Sequence, residues 1–175
     1  MPTISSSNTP TPQSWDEFEN ITLSAAKLRW YSSDFFRNGR PGQKQDGVDI
    51  WGHDDDGRHI GVQCKNTVDG VSLETVKSEF KNAKAFVPKL DRLYIATTAE
   101  RDGPLQKAVR KLSDKISKSG GFKVDLLFWD DICNDLARDE DVYFQHYPQF
   151  KQSGVNQAVE HDRKLINELT KYLIP

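Results

Sequence analysis

Asp49, Gln63 and Lys65 bring an acid, an amide and an amine into two short β-prone runs, GVDIWG and HIGVQCK. Hydrolysing a phosphodiester calls for a divalent cation that orients water and offsets charge building on the phosphoryl oxygens, and hard cations such as Mg²⁺ take oxygen ligands. Asp49 offers a carboxylate and Gln63 a neutral carbonyl oxygen, while the Lys65 ammonium can position the attacking water and stabilise transition-state charge. A second carboxylate would strengthen the set. Glu17 and Glu19 lie on an expected N-terminal helix; Glu17 completes a capping box with Ser14, which leaves Glu19 as the further ligand. The run His53-Asp54-Asp55-Asp56 is read as a turn, because adjacent turn residues point in different directions and Asp-Gly is ordinary turn chemistry. His53, His59, His146 and His161 show no spacing that suggests a ligand pair or a general base.

For the three residues to meet, the two runs must form a hairpin. A turn over Asp55, Asp56 and Gly57, with glycine in the left-handed position, sets Ile50 opposite Val62 and Asp49 opposite Gln63. Lys65 then joins them, two residues along the same face. The other face collects Val48, Ile50, Ile60, Val62 and Cys64, so one face is expected to be core and the other chemical. A slip of one residue would mismatch both faces.

Periodicity supplies the surroundings. A helix is expected from Trp15 to Arg29, carrying Trp15, Phe18, Thr22, Ala25 and Leu28, then a short strand over Asp34 to Arg37. Beyond the hairpin come a helix (Ser72 to Phe86), a buried strand (Arg92 to Thr97), a helix (Gly103 to Ser119), a strand (Lys123 to Phe128) and a short helix (Asp130 to Ala137). Tyr143 to Phe150 reads as aromatic and irregular, and Val155 to Leu173 as an amphipathic helix. The 175 residues suit one domain (15–150), preceded by a flexible polar leader (1–14) and followed by a C-terminal segment (151–175). That last helix must pack back on the core, pair with a second subunit, or lead into a further domain.

The apolar fraction of 36% and charged fraction of 29% fit a soluble protein without a membrane partner, and the leader lacks the pattern of a secretory signal, so cytoplasm is expected. Cys64 and Cys133 are expected to be reduced and buried, and the four tryptophans, Trp30 and Trp129 among them, to be core. The net charge of −2 hides a polarised chain. Lys107, Arg110, Lys111, Lys115, Lys118 and Lys123 oppose the single acid Asp114, whereas acids dominate from Asp125 to Asp141. Lys107, Arg110 and Lys111 are thus candidates for nucleic-acid contact, as are Arg40, Lys44 and Gln45 at the mouth of the hairpin.

Asp49, the hairpin turn and Gln63-Cys64-Lys65, following a Phe18-Glu19 pair, resemble the PD-(D/E)XK nuclease superfamily. The segment from Gly39 to Ile50 together with Gln63-Cys64-Lys65 is similar to Mrr-like restriction endonucleases and to nuclease effector domains of bacterial antiphage proteins. The resemblance spans Trp15 to Thr98. It implies an α/β, restriction-endonuclease-like α-β-β-β-α-β core, its mixed central sheet flanked by helices, with a C-terminal helical extension. It further implies Mg²⁺ or Mn²⁺ held by Asp49, Gln63 and Glu19, catalysis by Lys65, and DNA as substrate. A nuclease of low specificity needs restraint in its own cell, so a homo-oligomer or larger effector assembly is expected. The chain departs from the pattern at Gln63, where the family usually has an acid. A catalytically silent nucleic-acid-binding or oligomerisation module, and a nuclease of the same fold directed at RNA or branched DNA, stay open as alternatives.

Overall fold

The structure is a computed structural model that describes residues 8–39, 43 and 45–151. Two compact units divide the chain, Met1–Arg138 and Asp139–Pro175. The first unit is built in the order α1 (Trp15–Arg29), β1 (Phe35–Arg37), β2 (Ile50–His53), β3 (His59–Lys65), α2 (Leu73–Ala83), β4 (Arg92–Thr97), α3 (Gly103–Lys118), β5 (Lys123–Leu127) and α4 (Trp129–Leu136). The strands form one sheet in sequence order, antiparallel from β1 to β3 and parallel from β3 to β5. This is the expected α/β architecture, a five-stranded mixed sheet flanked by helices.

Local chemistry explains the order. Hairpins join the antiparallel strands, and each parallel step needs a crossover helix that packs back on the sheet. The two crossovers, α2 and α3, cover one face, where Val76, Phe80 and Val109 meet Leu93, Ile95, Val124 and Leu126. Helix α1 lies against the opposite face and packs on α4, with Phe18 beside Trp129 and Trp30 stacked on Phe35. Asp135 of α4, 2% exposed, is held by Arg29 at 2.7 Å and Arg138 at 3.1 Å, and so ties α4 to the end of α1. Strand β4 is covered on both sides, which is why the interior of RLYIAT, from Leu93 to Ala96, reads as an unbroken apolar run. No helix among the described residues is long and apolar enough to cross a membrane.

Four expectations change. Val48 does not share a face with Ile50: it precedes the strand and joins the core beneath α2, close to Gly61. Consequently neither face of the hairpin is purely chemical, since helices cover both. Trp15 is exposed, and the buried stripe of α1 runs through Phe18, Ile21, Thr22, Ala25 and Ala26. Cys133 is only partly buried. In the second unit, residues expected to be irregular form α5 (Glu140–His146), because the Asp139 carboxylate accepts the N–H groups of Asp141 and Val142 as an N-cap, and Tyr143 packs against Tyr147 and Phe150. The helix expected over 155–173 lies outside the described residues.

Candidate functional site

Asp49 sits where the chain stops turning and starts to pair. Asp46 and Gly47 both take positive φ, 48° and 70°. A Cβ on Gly47 would come within 2.8 Å of Asn82 Cβ and 3.2 Å of the Glu79 carbonyl, so only glycine permits this approach to α2. The approach presses the residues just before Asp49 onto the helical turn that carries Glu79. Asp49 then donates its N–H to Val62 O at 2.9 Å and accepts the Asn38 N–H at 2.7 Å, which fixes its backbone between β1 and β3.

The hairpin register is the expected one, with Ile50 opposite Val62 and Trp51 opposite Gly61. It delivers Gln63 to Asp49. Gln63 Nε2 donates to Asp49 Oδ2 at 2.6 Å, and the Cys64 N–H donates to the same oxygen at 2.7 Å. Asp49 Oδ1 and Gln63 Oε1 accept no hydrogen bond among the described residues. Burial pushes the Asp49 carboxyl up to about 6; the Cys64 N–H and Lys65 pull it down, while Glu19 and Glu79 push it further up. Asp49 is thus a buried acid with one oxygen committed to the protein and one available.

Lys65, two residues along, places Nζ 2.6 Å from Glu79 Oε1, with both side chains largely covered. On the other side of Asp49, Glu19 of α1 is paired with Arg37 Nη2, while Arg37 Nη1 reaches Asp16 at 2.7 Å and Asn20 at 3.2 Å. The bond to Asp16 and the charge of Glu19 raise the Arg37 pKa above its usual value despite partial burial. Four carboxylates, Asp16, Glu19, Asp49 and Glu79, therefore share two cations, Arg37 and Lys65, and Asp49 pairs directly with neither. The imbalance leaves the site with excess negative charge, and the available atoms are all oxygens. Burial, with Asp49 and Glu19 nearby, pushes the Cys64 thiol far up, so it stays protonated and offers no soft ligand. Such a donor set suits a hard, oxygen-preferring divalent cation.

The structure thus brings Asp49, Gln63 and Lys65 together and sets Glu19 within their electrostatic reach. Gln45 closes the loop before the site, donating Nε2 to Asn38 O at 2.8 Å while its carbonyl accepts from Asn38 Nδ2 at 3.0 Å. Lys107, Arg110 and Lys111 are exposed on α3 and make no hydrogen bond or ion pair with the residues around Asp49. Arg40 and Lys44 lie outside the described residues. Sequence reasoning missed Glu79 and Arg37. Glu79 left a signal: with Val76, Phe80 and Ala83 it shares the helical spacing of the buried stripe, an acid where an apolar residue belongs. Arg37, on a three-residue strand, left none.

Another acidic group invites comparison. Asp54, Asp55 and Asp56 present carboxylate oxygens within 4.8 Å of one another. Asp54 Oδ1, however, accepts the N–H groups of Asp56 at 3.1 Å and Arg58 at 2.8 Å, and Oδ2 accepts Arg58 Nε at 2.7 Å. The cluster is built as the expected turn, with Gly57 at φ 77°. A cavity of about 930 Å³ also lies off the site: Thr98, Arg101, Leu105 and Trp129 line it beyond the ends of β4 and β5.

No family model and no curated protein matches the chain. Among solved structures it is similar to a repair endonuclease from Pyrococcus abyssi, with 17% identity and a TM-score of 0.39 over 69% of this chain and 49% of that one. The chain spans about half the length of that protein.

Proposed function

We propose that the chain is a metal-dependent endonuclease that hydrolyses phosphodiester bonds of double-stranded DNA with little sequence preference. One observation carries the reading: Asp49, buried and raised to about 6, keeps Oδ1 free while Gln63 Nε2 holds Oδ2, with Lys65 two residues beyond Gln63 and Glu19 near at hand. Asp49, Gln63 and Glu19 would hold Mg²⁺ or Mn²⁺ through oxygen. Bound there, a divalent ion supplies orientation of water and relief of charge on the phosphoryl oxygens. Asp49 gives the only buried charge of the hairpin that no cation pairs directly, and the Cys64 N–H keeps its carboxylate aimed. Lys65, released from Glu79, would turn its ammonium to the phosphate and stabilise charge in the transition state. Arg37 holds Glu19 in place from behind.

The resemblance of Gly39 to Ile50 and Gln63-Cys64-Lys65 to Mrr-like enzymes extends this reading to a restriction-type or antiphage effector that works as an assembly. The primary test is nicking of supercoiled plasmid in Mg²⁺ or Mn²⁺, with EDTA, Asp49→Ala and Lys65→Ala as controls. Each of the three should abolish cleavage. Undiminished nicking by the Lys65→Ala protein would refute the mechanism, and faster cleavage of RNA or branched DNA than of duplex would reassign the substrate.

A further inference from the structure

We propose that Glu79 is a further anionic ligand of the cation site beside Asp49 and Glu19, supplied by α2 in place of the charge that the neutral Gln63 does not provide. The inference rests on the metal-dependent reading above and adds to it a residue outside the hairpin. Its ground is geometric. Gly47 lets the chain before Asp49 pack directly on the Glu79 to Ala83 turn, with the Glu79 carbonyl 3.2 Å from where a Cβ would stand. The Glu79 carboxylate is mostly buried, with its side chain 13% exposed, although water would solvate it better anywhere on the outer side of α2. It meets Lys65 at 2.6 Å, the cation of the same site, and its other oxygen is only 3.5 Å from Asn82 Nδ2.

The two flanking acids are held differently. Glu19 is gripped by an arginine that also binds Asp16 and Asn20, a fork with little freedom. Glu79 is held by one flexible ammonium, which is the very group that must leave to reach a phosphate. Lys65 thus occupies the place at Glu79 that a cation would take. Metal entry would exchange one positive partner of Glu79 for another and free Lys65 at the same moment.

Mn²⁺ titration of the full chain by calorimetry at pH 7.5 separates the possibilities, with plasmid nicking run alongside. Glu79→Gln should weaken Mn²⁺ affinity at least about tenfold, and adding Gln63→Glu should recover most of that loss. Lys65→Met should tighten Mn²⁺ several-fold, and the gain should vanish in the Lys65→Met, Glu79→Gln double variant. Wild-type affinity in Glu79→Gln, a loss that Gln63→Glu does not recover, or no gain from Lys65→Met would each overturn the assignment. A wild-type protein that nicks DNA and binds Mn²⁺ equally well with Glu79→Gln would refute Glu79 alone. A wild-type protein that neither binds Mn²⁺ nor nicks DNA would refute the nuclease reading with it.

Discussion

Asp49 and Asp54 lie on the two sides of one short strand, are almost equally hidden, at 4% and 5% exposure, and are driven in opposite directions. Burial raises Asp49 to about 6. Burial pushes Asp54 up as well, but the Arg58 N–H, the Arg58 guanidinium and the Asp56 N–H outweigh it and leave Asp54 below the usual carboxylate range. The cause is what covers each group. Asp54 is wrapped by its own turn and answered by Arg58, four residues on in the same loop, whereas Asp49 is enclosed by two helices that add Glu19 and Glu79. Closeness of carboxylates is therefore a poor guide to a cation site. The three turn aspartates bring carboxylate oxygens within 4.8 Å of one another, yet Asp54 has both oxygens occupied. A ligand needs an oxygen with nothing else to do.

The largest expected contrast is in activity. Asp49→Ala should lower metal-dependent nicking about a thousandfold, the upper range for losing one charge-stabilising group of an active site. Asp54→Ala, at the far end of the hairpin, should leave it within about threefold, in keeping with a residue that acts only on the fold. Equal losses in both variants would collapse the distinction between the two acids.

Stability should separate them next, with opposite signs. Asp49 has a folded pKa of about 6 against 3.8 for the free group, so the folded protein binds the extra proton between those values. Its contribution is full below about pH 4 and is lost as pH rises through 6. The span is on the order of 2–3 kcal/mol at 1.36 kcal/mol per unit. Urea unfolding in EDTA should accordingly show Asp49→Asn gaining on wild type between pH 4 and pH 7. Asp54 behaves inversely: its depressed pKa contributes stability that is present above 3.8 and lost as pH falls below it. Asp54→Asn should be less stable than wild type at pH 7 and approach it in acid. Parallel pH profiles for the two variants would contradict the electrostatics of both sites.

How far this contrast was legible in the sequence depended on whether the signal was local. The hairpin register follows from a turn residue and a two-residue alternation, both readable within a dozen positions, and it carried Asp49, Gln63 and Lys65 to one place. The strand Arg92–Thr97 was equally plain, as an apolar run with polar ends. Val48 was misassigned because alternation holds only in extended backbone, and positive φ at Asp46 and Gly47 breaks it two residues before the site. Helix α5 rests on a single cap and a cluster of aromatic rings, with too little periodicity to read. Arg37 and Glu79 came to Asp49 through helix and strand packing across a sheet, and packing partners leave little trace in one chain. The free oxygen on Asp49 was beyond reach altogether, since it depends on two donors choosing the same atom.

The smallest effect asks which end of the sheet DNA approaches. Helix α3 leaves the C-terminal end of β4 and returns to the start of β5, so it runs antiparallel to the strands. Its first turns, with Lys107, Arg110 and Lys111, lie towards the Lys65 end. Its last turn reaches the opposite end, where Ser117 lines a cavity with Asp54 and Arg58. The exposed basic row thus joins the two acids compared above. If duplex lies across Asp49, replacing Lys107 or Arg110 by alanine should weaken binding in Ca²⁺ a few-fold and reduce the slope of log K against log salt by about 1 each. Lys118→Ala, at the Asp54 end, should leave the slope unchanged. The reverse ranking would move the DNA to the far end of the hairpin, where Asp49 could not reach it, and would break the link between the basic row and the site.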